Sequence, residues 1–268
     1  MQHSFRQEGR VVTKEVYLGK TIPKDIEHIK LRLEHTIKRP LYGKLERIRE
    51  HFQKEWKRYP DSARCKELEE LAIAFTYNTN AIEGSTITLH ETREIIEDKI
   101  APHKPLRDIE ETEAHNKAFL QMLKQKQKIT NKLILRWHYD LFSKTKTDIA
   151  GKYRDYLVRI GDYIAPDWQD VKKLMDCLVR FTRVATGNPV EHAARVHYRF
   201  ERIHPFGDGN GRVGRLLMNH ILWHSGYPML IIEYKKRRSY YRALRKDEDG
   251  FVDYFLRRYL AVHKKSIT

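Results

Sequence analysis

The apolar positions of this chain recur at helical spacing along most of its length. In CKELEELAIAFTYNTNAIEG, Leu68, Leu71, Ala72 and Phe75 stand at i, i+3, i+4 and i+7, which puts them on one face of a helix. That helix should stop near Gly84, because glycine is a common residue just past a helix end. Thr88, followed three residues on by Glu91, is a capping box that opens a helix at TREIIEDKI. Further helices are expected from Arg107 to Lys124, from Asn131 to Phe142, after Asp167-Trp168, after Pro189, from Asn210 to Trp223, from Ser239 to Lys246 and from Phe251 to His263. Upstream, Pro23 opens a charged stretch with Ile29, Leu31, Leu33, Ile37, Leu41, Leu45, Ile48 and Phe52, which reads as a helical hairpin broken near Pro40. Residues 1–22 lack that period. VVTKEVYL alternates weakly and reads as an extended arm or an edge strand. Only YLVRIGDYIAP, residues 156–166, reads as β structure, with Leu157, Val158, Ile160 and Ile164 around the turn residues Gly161-Asp162. The expected fold is mostly α with one small β-hairpin. An N-terminal helical region over 1–104 and a core over 105–268 are the expected division.

Composition narrows this picture. With 268 residues, 40% apolar and 33% charged, the chain is too apolar for a disordered one and long enough for a sizeable core. Only Cys65 and Cys177 are present, without metal-like spacing, which argues for a reducing compartment and against a disulfide scaffold. No apolar run reaches the roughly 18–20 residues of a membrane span, and the start has no apolar leader, so a cytoplasmic protein without membrane contact is expected. Lys and Arg number 52 against 36 acids, a net charge of +16, of which +9 falls between Arg195 and Thr268. Such a balance suits nucleic acid, phosphate-bearing ligands or an acidic partner.

The chemistry concentrates in His204-Pro205-Phe206-Gly207-Asp208-Gly209-Asn210-Gly211-Arg212, with Arg215 one turn further. Three glycines between two helices free backbone N–H groups to turn inward, and a helix N-terminus adds donors and a positive dipole end. Arg212 and Arg215, three apart, share the first turn of that helix. Two guanidinium forks beside such a loop can grip a di- or triphosphate. Asp208 is the one carboxylate there, suited to magnesium shared with phosphate oxygens, and His204 is the side chain able to take a proton near neutrality. Each feature alone has a bland reading as a structural histidine, a surface arginine pair or a simple turn. Together they suffice for transfer at phosphorus.

The segment HPFGDGNGR at 204–212, with Arg215, resembles without mismatch the signature H-x-F-x-(D/E)-(A/G)-N-G-R-x-x-R of the Fic-domain family. Gly151-Lys152-Tyr153-Arg154 before LVRIG, the lead-in AARVHYRFERIHPF and the later SYYRAL extend the resemblance over roughly residues 70–260. It implies a Fic-type helical bundle with a hairpin flap at 151–166, and a protein adenylyltransferase (AMPylator) that moves AMP from ATP onto a Ser, Thr or Tyr hydroxyl of a target protein. His204 would be the general base and Phe206 the loop's anchor. Asp208 would hold Mg2+. Asn210, with the amides of Gly209 and Gly211, would bind α- and β-phosphate oxygens, and Arg212 and Arg215 the β- and γ-phosphates. Tyr240 or Tyr241 would border the adenine, although Lys246 to Asp249 departs from the small polar residue usual after that pair. Leu157, Val158, Arg159 and Ile160 would align the target segment by strand pairing. In the kinase-like Doc branch, Asn replaces Asp208 and Lys replaces Gly211, so the residues here favour AMP transfer.

A second motif lies at the end of the 65–84 helix. Glu83 puts a negative charge in a last helical turn, where the dipole disfavours it. Thr79, Glu83 and Gly84 resemble the inhibitory motif (S/T)-x-x-x-E-(G/N) of Fic proteins that carry it before the core. The resemblance implies that Glu83 pairs with Arg215, occupies the γ-phosphate site and keeps basal activity low. The alternatives are a de-AMPylase, a kinase-like variant, or a nucleotide-sensing or DNA-binding regulator without transferase activity. The basic run Lys235 to Arg238 reads as a solvated loop near the cleft, with a nucleic-acid patch as its alternative. His192, His197 and His204 do not share a helix face well enough for a three-histidine metal site. A homo-oligomer is left open.

Overall fold

The computed structural model describes residues 2–7, 10–18, 23, 25–184 and 187–266. Among them, helices dominate: α1 (Ile26–Arg58), α2 (Asp61–Ile82), α3 (Leu89–Arg93), α4 (Leu106–Lys124), α5 (Asn131–Phe142), α6 (Trp168–Phe181), α7 (Pro189–Ile203), α8 (Asn210–His224), α9 (Arg237–Leu244) and α10 (Glu248–Val262). The expected flap is present as a two-stranded antiparallel pair, β3 (Arg159–Ile160) and β4 (Tyr163–Ile164), with Ile160 opposite Tyr163. Gly161 supplies the positive φ of +59° in its turn.

Several helix starts are written locally. The Thr88 hydroxyl accepts from the Glu91 N–H while the Glu91 carboxylate accepts from the Thr88 N–H, the reciprocal pair expected of a capping box. Thr130, Asp167, Asn188 and Asp247 cap α5, α6, α7 and α10 with their side chains.

Three local expectations differ from the structure. The chain does not break at Pro40; α1 runs unbroken for 33 residues with the proline inside it. Pro40 removes one helical hydrogen bond, but Lys38 and Tyr42 on either side both bond the buried Glu191 carboxylate at 2.7 Å, and Leu45 and Ile48 are fully buried. Tertiary contacts thus hold both halves on one axis. The hairpin at 156–166 is also not the one β feature. β2 (Arg10–Glu15) includes most of the stretch read as an arm or edge strand, and pairs antiparallel with β1 (Gln2–Gln7). The capping-box helix, in turn, widens after Arg93 into a π-helical turn at Glu94–Asp98.

One apolar cluster fills the interior, running from Leu45 to Tyr259, and α8 lies at its centre with every residue from Asn210 to Leu222 buried. α8 packs against α7, and α2, α4 and α5 also contact α8. This arrangement brings the end of α2 and the side of α4 to the N-terminus of α8. No helix among the described residues is long and apolar enough to cross a membrane.

Candidate active site

The loop between α7 and α8 is fixed from within. α7 ends at His204, which adopts the left-handed conformation at φ 50° and donates its N–H to the Phe200 carbonyl. Phe206 is fully buried and stacks on the His138 ring, with centroids 3.9 Å apart. Asn210 closes the turn: its Oδ1 accepts from the Phe206 N–H and its Nδ2 donates to the Phe206 carbonyl, both at 2.8 Å. The Asn210 amide, expected on phosphate oxygens, thus bonds the main chain of the loop through Oδ1 and one Nδ2 hydrogen. Gly209 takes φ +78°, and a methyl group there would run into the Phe142 ring. No side chain caps α8, and the Gly209 N–H just before it donates to Asp208 Oδ1 at 2.5 Å; the first N–H groups of the helix itself are of the kind that suits an anion.

Glu83 stands at that opening. It is the C-cap residue of α2, just before Gly84 at φ +95°. Its Oε1 accepts from Arg215 at 2.6 Å, and the same guanidinium donates to the Thr79 carbonyl at 3.3 Å. A Cβ on Gly211 would collide with that Glu83 oxygen, so the glycine at 211 is what admits the carboxylate. The negative charge that the helix dipole disfavours thus has its compensation in Arg215, which is 1% exposed. Burial works against charge on Arg215, but the Glu83 carboxylate outweighs it and raises the guanidinium's pKa.

Arg212 is held differently. Its guanidinium bonds Glu111 of α4, reaches Asp208 Oδ1 at 3.4 Å and lies over the Phe142 ring. Lys146 bridges the two acids, 2.8 Å from Glu111 Oε1 and 2.7 Å from Asp208 Oδ2. Burial alone would raise both carboxyl pKa values. The Arg212 charge and the Lys146 bonds and charge outweigh it and hold both below the usual range. Asn80, Glu83, Glu111, Lys146, Asp208 and Arg212 line a cleft of about 200 Å³.

Burial keeps His204 low, at about 4, although a hydrogen bond with the Glu201 backbone and the Glu83 and Asp208 charges pull it up. The imidazole is therefore neutral at neutral pH and can accept a proton. His138, also held near 4 by burial, receives the Gly151 N–H on Nδ1, so its Nε2 donates to the Asp208 carbonyl at 3.0 Å.

The structure thus places Glu83, Gly84, Asp208 and Arg212 on the lining of one cleft, with Arg215 and the Thr79 carbonyl joined to Glu83 behind it. The two tyrosines part company. Tyr240 is 1% exposed and lies in the core, with its hydroxyl 2.7 Å from His197 Nε2. Tyr241 keeps open surface and donates to the Ile82 carbonyl at 3.1 Å, next to Glu83. Leu157, Arg159 and Ile160 are exposed along the hairpin and Val158 is half-buried. Lys235, Lys236 and Arg238 are solvated, with Lys235 on Glu233 at 2.8 Å. His197 is buried on Tyr240, and no cluster of three or more metal-ligating side chains exists among the described residues.

Sequence reasoning missed four contributors. Glu111 and Lys146 carry no motif and meet the loop only through folding. His138 shows only as one more residue on an amphipathic helix. Arg154 lies within the Gly151-Lys152-Tyr153-Arg154 segment but had no role assigned to it.

Residues 128–222 match the family described as the Fic/DOC family. A protein adenylyltransferase Fic from Nematostella vectensis is 34% identical over 200 residues, covering 71% of this chain and 46% of that relative. One from Drosophila melanogaster is 36% identical over 70% of this chain and 40% of its own length. The chain therefore spans less than half the length of these relatives. Among solved structures, Fic-1 from C. elegans is similar at TM-score 0.73 and 28% identity, covering 91% of this chain and 78% of that one. A Fic domain containing signaling protein from Bacteroides thetaiotaomicron shares the fold at TM-score 0.72 and 24% identity, over 85% of this chain and 94% of that one.

Proposed function

The chain carries a domain of the Fic/DOC family, and on that premise we propose that it is a protein adenylyltransferase held in check by its own Glu83. The observation that carries this reading is the Glu83–Arg215 ion pair, seated where the uncapped N-terminus of α8 would receive a terminal phosphate.

In the proposed reaction, ATP lays its phosphates along the N–H groups of Gly209 to Gly211, with Arg212 and Arg215 on the outer phosphates. His204 Nε2 takes the proton of a target hydroxyl, that oxygen attacks the α-phosphorus, and the bond to the β-phosphate bridging oxygen breaks as pyrophosphate leaves. Positioning and charge neutralisation supply most of the acceleration. The exposed edge of β3 aligns the target strand beside His204.

The donor set suits Mg2+ carried in by the nucleotide rather than a resident ion. Asp208, which the loop itself supplies, is the most exposed of the carboxylates on the cleft, it already attracts the Lys146 ammonium, and magnesium needs only one or two protein oxygens beside phosphate and water. When bound, the ion would neutralise phosphate charge, with Asp208 as its protein ligand.

Glu83 opposes this loading by holding Arg215. A phosphate and the Glu83 carboxylate compete for one guanidinium, and the nucleotide is left in an unproductive pose. Gly211 matters on both counts, since a lysine there would displace Glu83 and crowd the phosphate site. The test is incubation of the chain, Glu83→Gly and the double variant with His204→Ala, with ATP labelled at either the α- or the γ-phosphate. AMP transfer puts α-label alone on protein, increases it in Glu83→Gly and abolishes it with His204→Ala. Label from γ alone would make it a kinase. Release of AMP from a modified target by the chain with Glu83 intact would make it a de-AMPylase, and no label from any variant would leave a nucleotide-binding regulator.

A further inference from the structure

Arg154 is 4% exposed, and the guanidinium hydrogen bonds described for it all end on main-chain carbonyls. Its Nε donates to the carbonyl of His204 at 2.8 Å. One terminal nitrogen donates to Tyr156 at 2.7 Å, and the other to Pro166 at 2.6 Å and Ile203 at 3.5 Å. The Arg154 N–H itself donates to the Pro205 carbonyl at 2.9 Å.

Those carbonyls come from two places that the reaction must keep in register. Tyr156 and Pro166 are the entry and exit of the segment that carries β3 and β4. Ile203, His204 and Pro205 are the end of α7 and the base itself. His204 is a non-glycine residue at φ 50°, a conformation that costs about 1–3 kcal/mol and persists only where surrounding contacts over-determine it. The Arg154 bond to its carbonyl is one such contact. A second tie runs in parallel: the Tyr163 hydroxyl donates to the Arg202 carbonyl at 2.7 Å, with the Arg202 guanidinium 3.5 Å over the tyrosine ring. The hairpin is otherwise slight, with two residue pairs and Leu157, Ile160 and Ile164 exposed. It has little core of its own to fix its position.

We infer that Arg154 is a positioning residue for the transfer reaction, locking the left-handed His204 and both ends of the β3–β4 segment into one body so that base and target-binding edge are set by a single side chain. A planar fork with donors pointing in three directions is required. A lysine keeps the charge but presents one compact head that cannot reach all of these carbonyls at once. The lining of the nucleotide cleft, with Asn80, Glu83, Glu111, Lys146, Asp208 and Arg212, includes none of the residues that Arg154 bonds, so nucleotide binding should survive the change while the approach of the hydroxyl suffers. A misplacement of about 1 Å in such an approach costs on the order of a hundredfold in rate.

This inference rests on the adenylyltransferase reading for its rate effects, and the test separates the two. Arg154→Lys and Arg154→Met are made in the Glu83→Gly background and compared with that parent. Expected are a kcat lower by about ten- to a hundredfold, a raised KM for the target, and an ATP affinity within about twofold of the parent by calorimetry. Hydrogen exchange should quicken in residues 154–166 and 203–206 and stay unchanged in α4 and α10. Lysine should rescue little of the loss, because charge alone does not restore the fork. A kcat and KM equal to the parent's would overturn the inference, as would exchange that rises uniformly, ATP affinity lost in step with rate, or failure of both variants to fold. If the parent itself transfers no AMP, the adenylyltransferase reading falls, and the exchange pattern alone decides whether Arg154 couples the hairpin to His204.

Discussion

Replacing Glu83 by glycine should do three linked things: tighten ATP binding, lower the stability of the nucleotide-free chain, and make that stability recoverable by nucleotide. The magnitudes follow from the ion pair's surroundings. Arg215 is 1% exposed and Glu83 25%, with 2.6 Å between their polar atoms. Removing one partner of a fully buried pair costs about 3–5 kcal/mol, and a charge-assisted hydrogen bond is worth about 1.5–3 kcal/mol. With Glu83 a quarter open to water, and with the Thr79 carbonyl still accepting from Arg215, the lower figures apply. A loss of about 2 kcal/mol in a chain of this size corresponds to a Tm lower by roughly 4–8 °C. The same 2 kcal/mol is what a γ-phosphate no longer has to displace, which is about a thirtyfold gain in ATP affinity. Calorimetry in a His204→Ala background measures that affinity without turnover, and thermal denaturation with and without ATP measures the rest. Saturating ATP should return the Tm of Glu83→Gly to that of the ATP-saturated chain with Glu83 intact. Glu83→Gln, which keeps the size and drops the charge, should fall between the two. An unchanged affinity together with an unchanged Tm would refute the competition between carboxylate and phosphate, because a pair that nothing has to displace cannot be a brake.

Two pH dependences follow from buried groups. His204 is held near 4 by burial, so kcat/KM of Glu83→Gly should stay flat from pH 8 to about 5 and fall only as the imidazole takes a proton below that; circular dichroism at each pH checks that the chain remains folded, and a limb near 6.5 would contradict a buried base. Glu201 has a buried Oε1 without a partner, and burial pushes its carboxyl up to about 8, partly offset by the Arg215 charge. The folded chain therefore keeps that proton over a range in which the unfolded chain, with an ordinary carboxyl near 4.5, has released it. The stability this group contributes is intact below about pH 4.5 and is lost as pH rises through about 8. Glu201→Gln should accordingly shrink the drop in Tm between pH 6 and 8.5, by at least about 2–4 °C for each kcal/mol recovered; an identical drop in both chains would show that Glu201 is already ionised in the native state.

Much of this protein was legible without coordinates because the relevant rules are local. Helical period, the Thr88–Glu91 box and the proline that opens α7 are properties of neighbouring residues, and they located most of the helices. The loop was legible for the same reason: nine consecutive residues place a histidine, a carboxylate, three glycines and an arginine around one turn. Even the awkward charge of Glu83 at a helix end was visible, as was the need for something to offset it.

What the chain order did not contain is which distant side chains would meet that loop. Glu111 and Lys146 lie 97 and 62 positions before Asp208, yet they and Arg212 form one charged cluster because α4 and the segment after α5 pack beside α8. Adjacent tyrosines went to opposite fates, Tyr240 into the core and Tyr241 to the surface, because residues one apart on α9 face about 100° away from each other. Pro40 argued locally for a break and was overruled by bonds to Glu191 on another helix. Asn210 staples its own turn through both amide atoms, a contact that residue type alone did not show. The sequence by itself determined the helices, the glycine-rich turn between α7 and α8 and the chemistry its side chains can perform, since those depend on backbone preferences and residue type at short range. Only the tertiary structure decided that Arg215 is buried against Glu83 and that Arg154 ties the hairpin to His204, since burial and long-range contact exist only once the helices have packed.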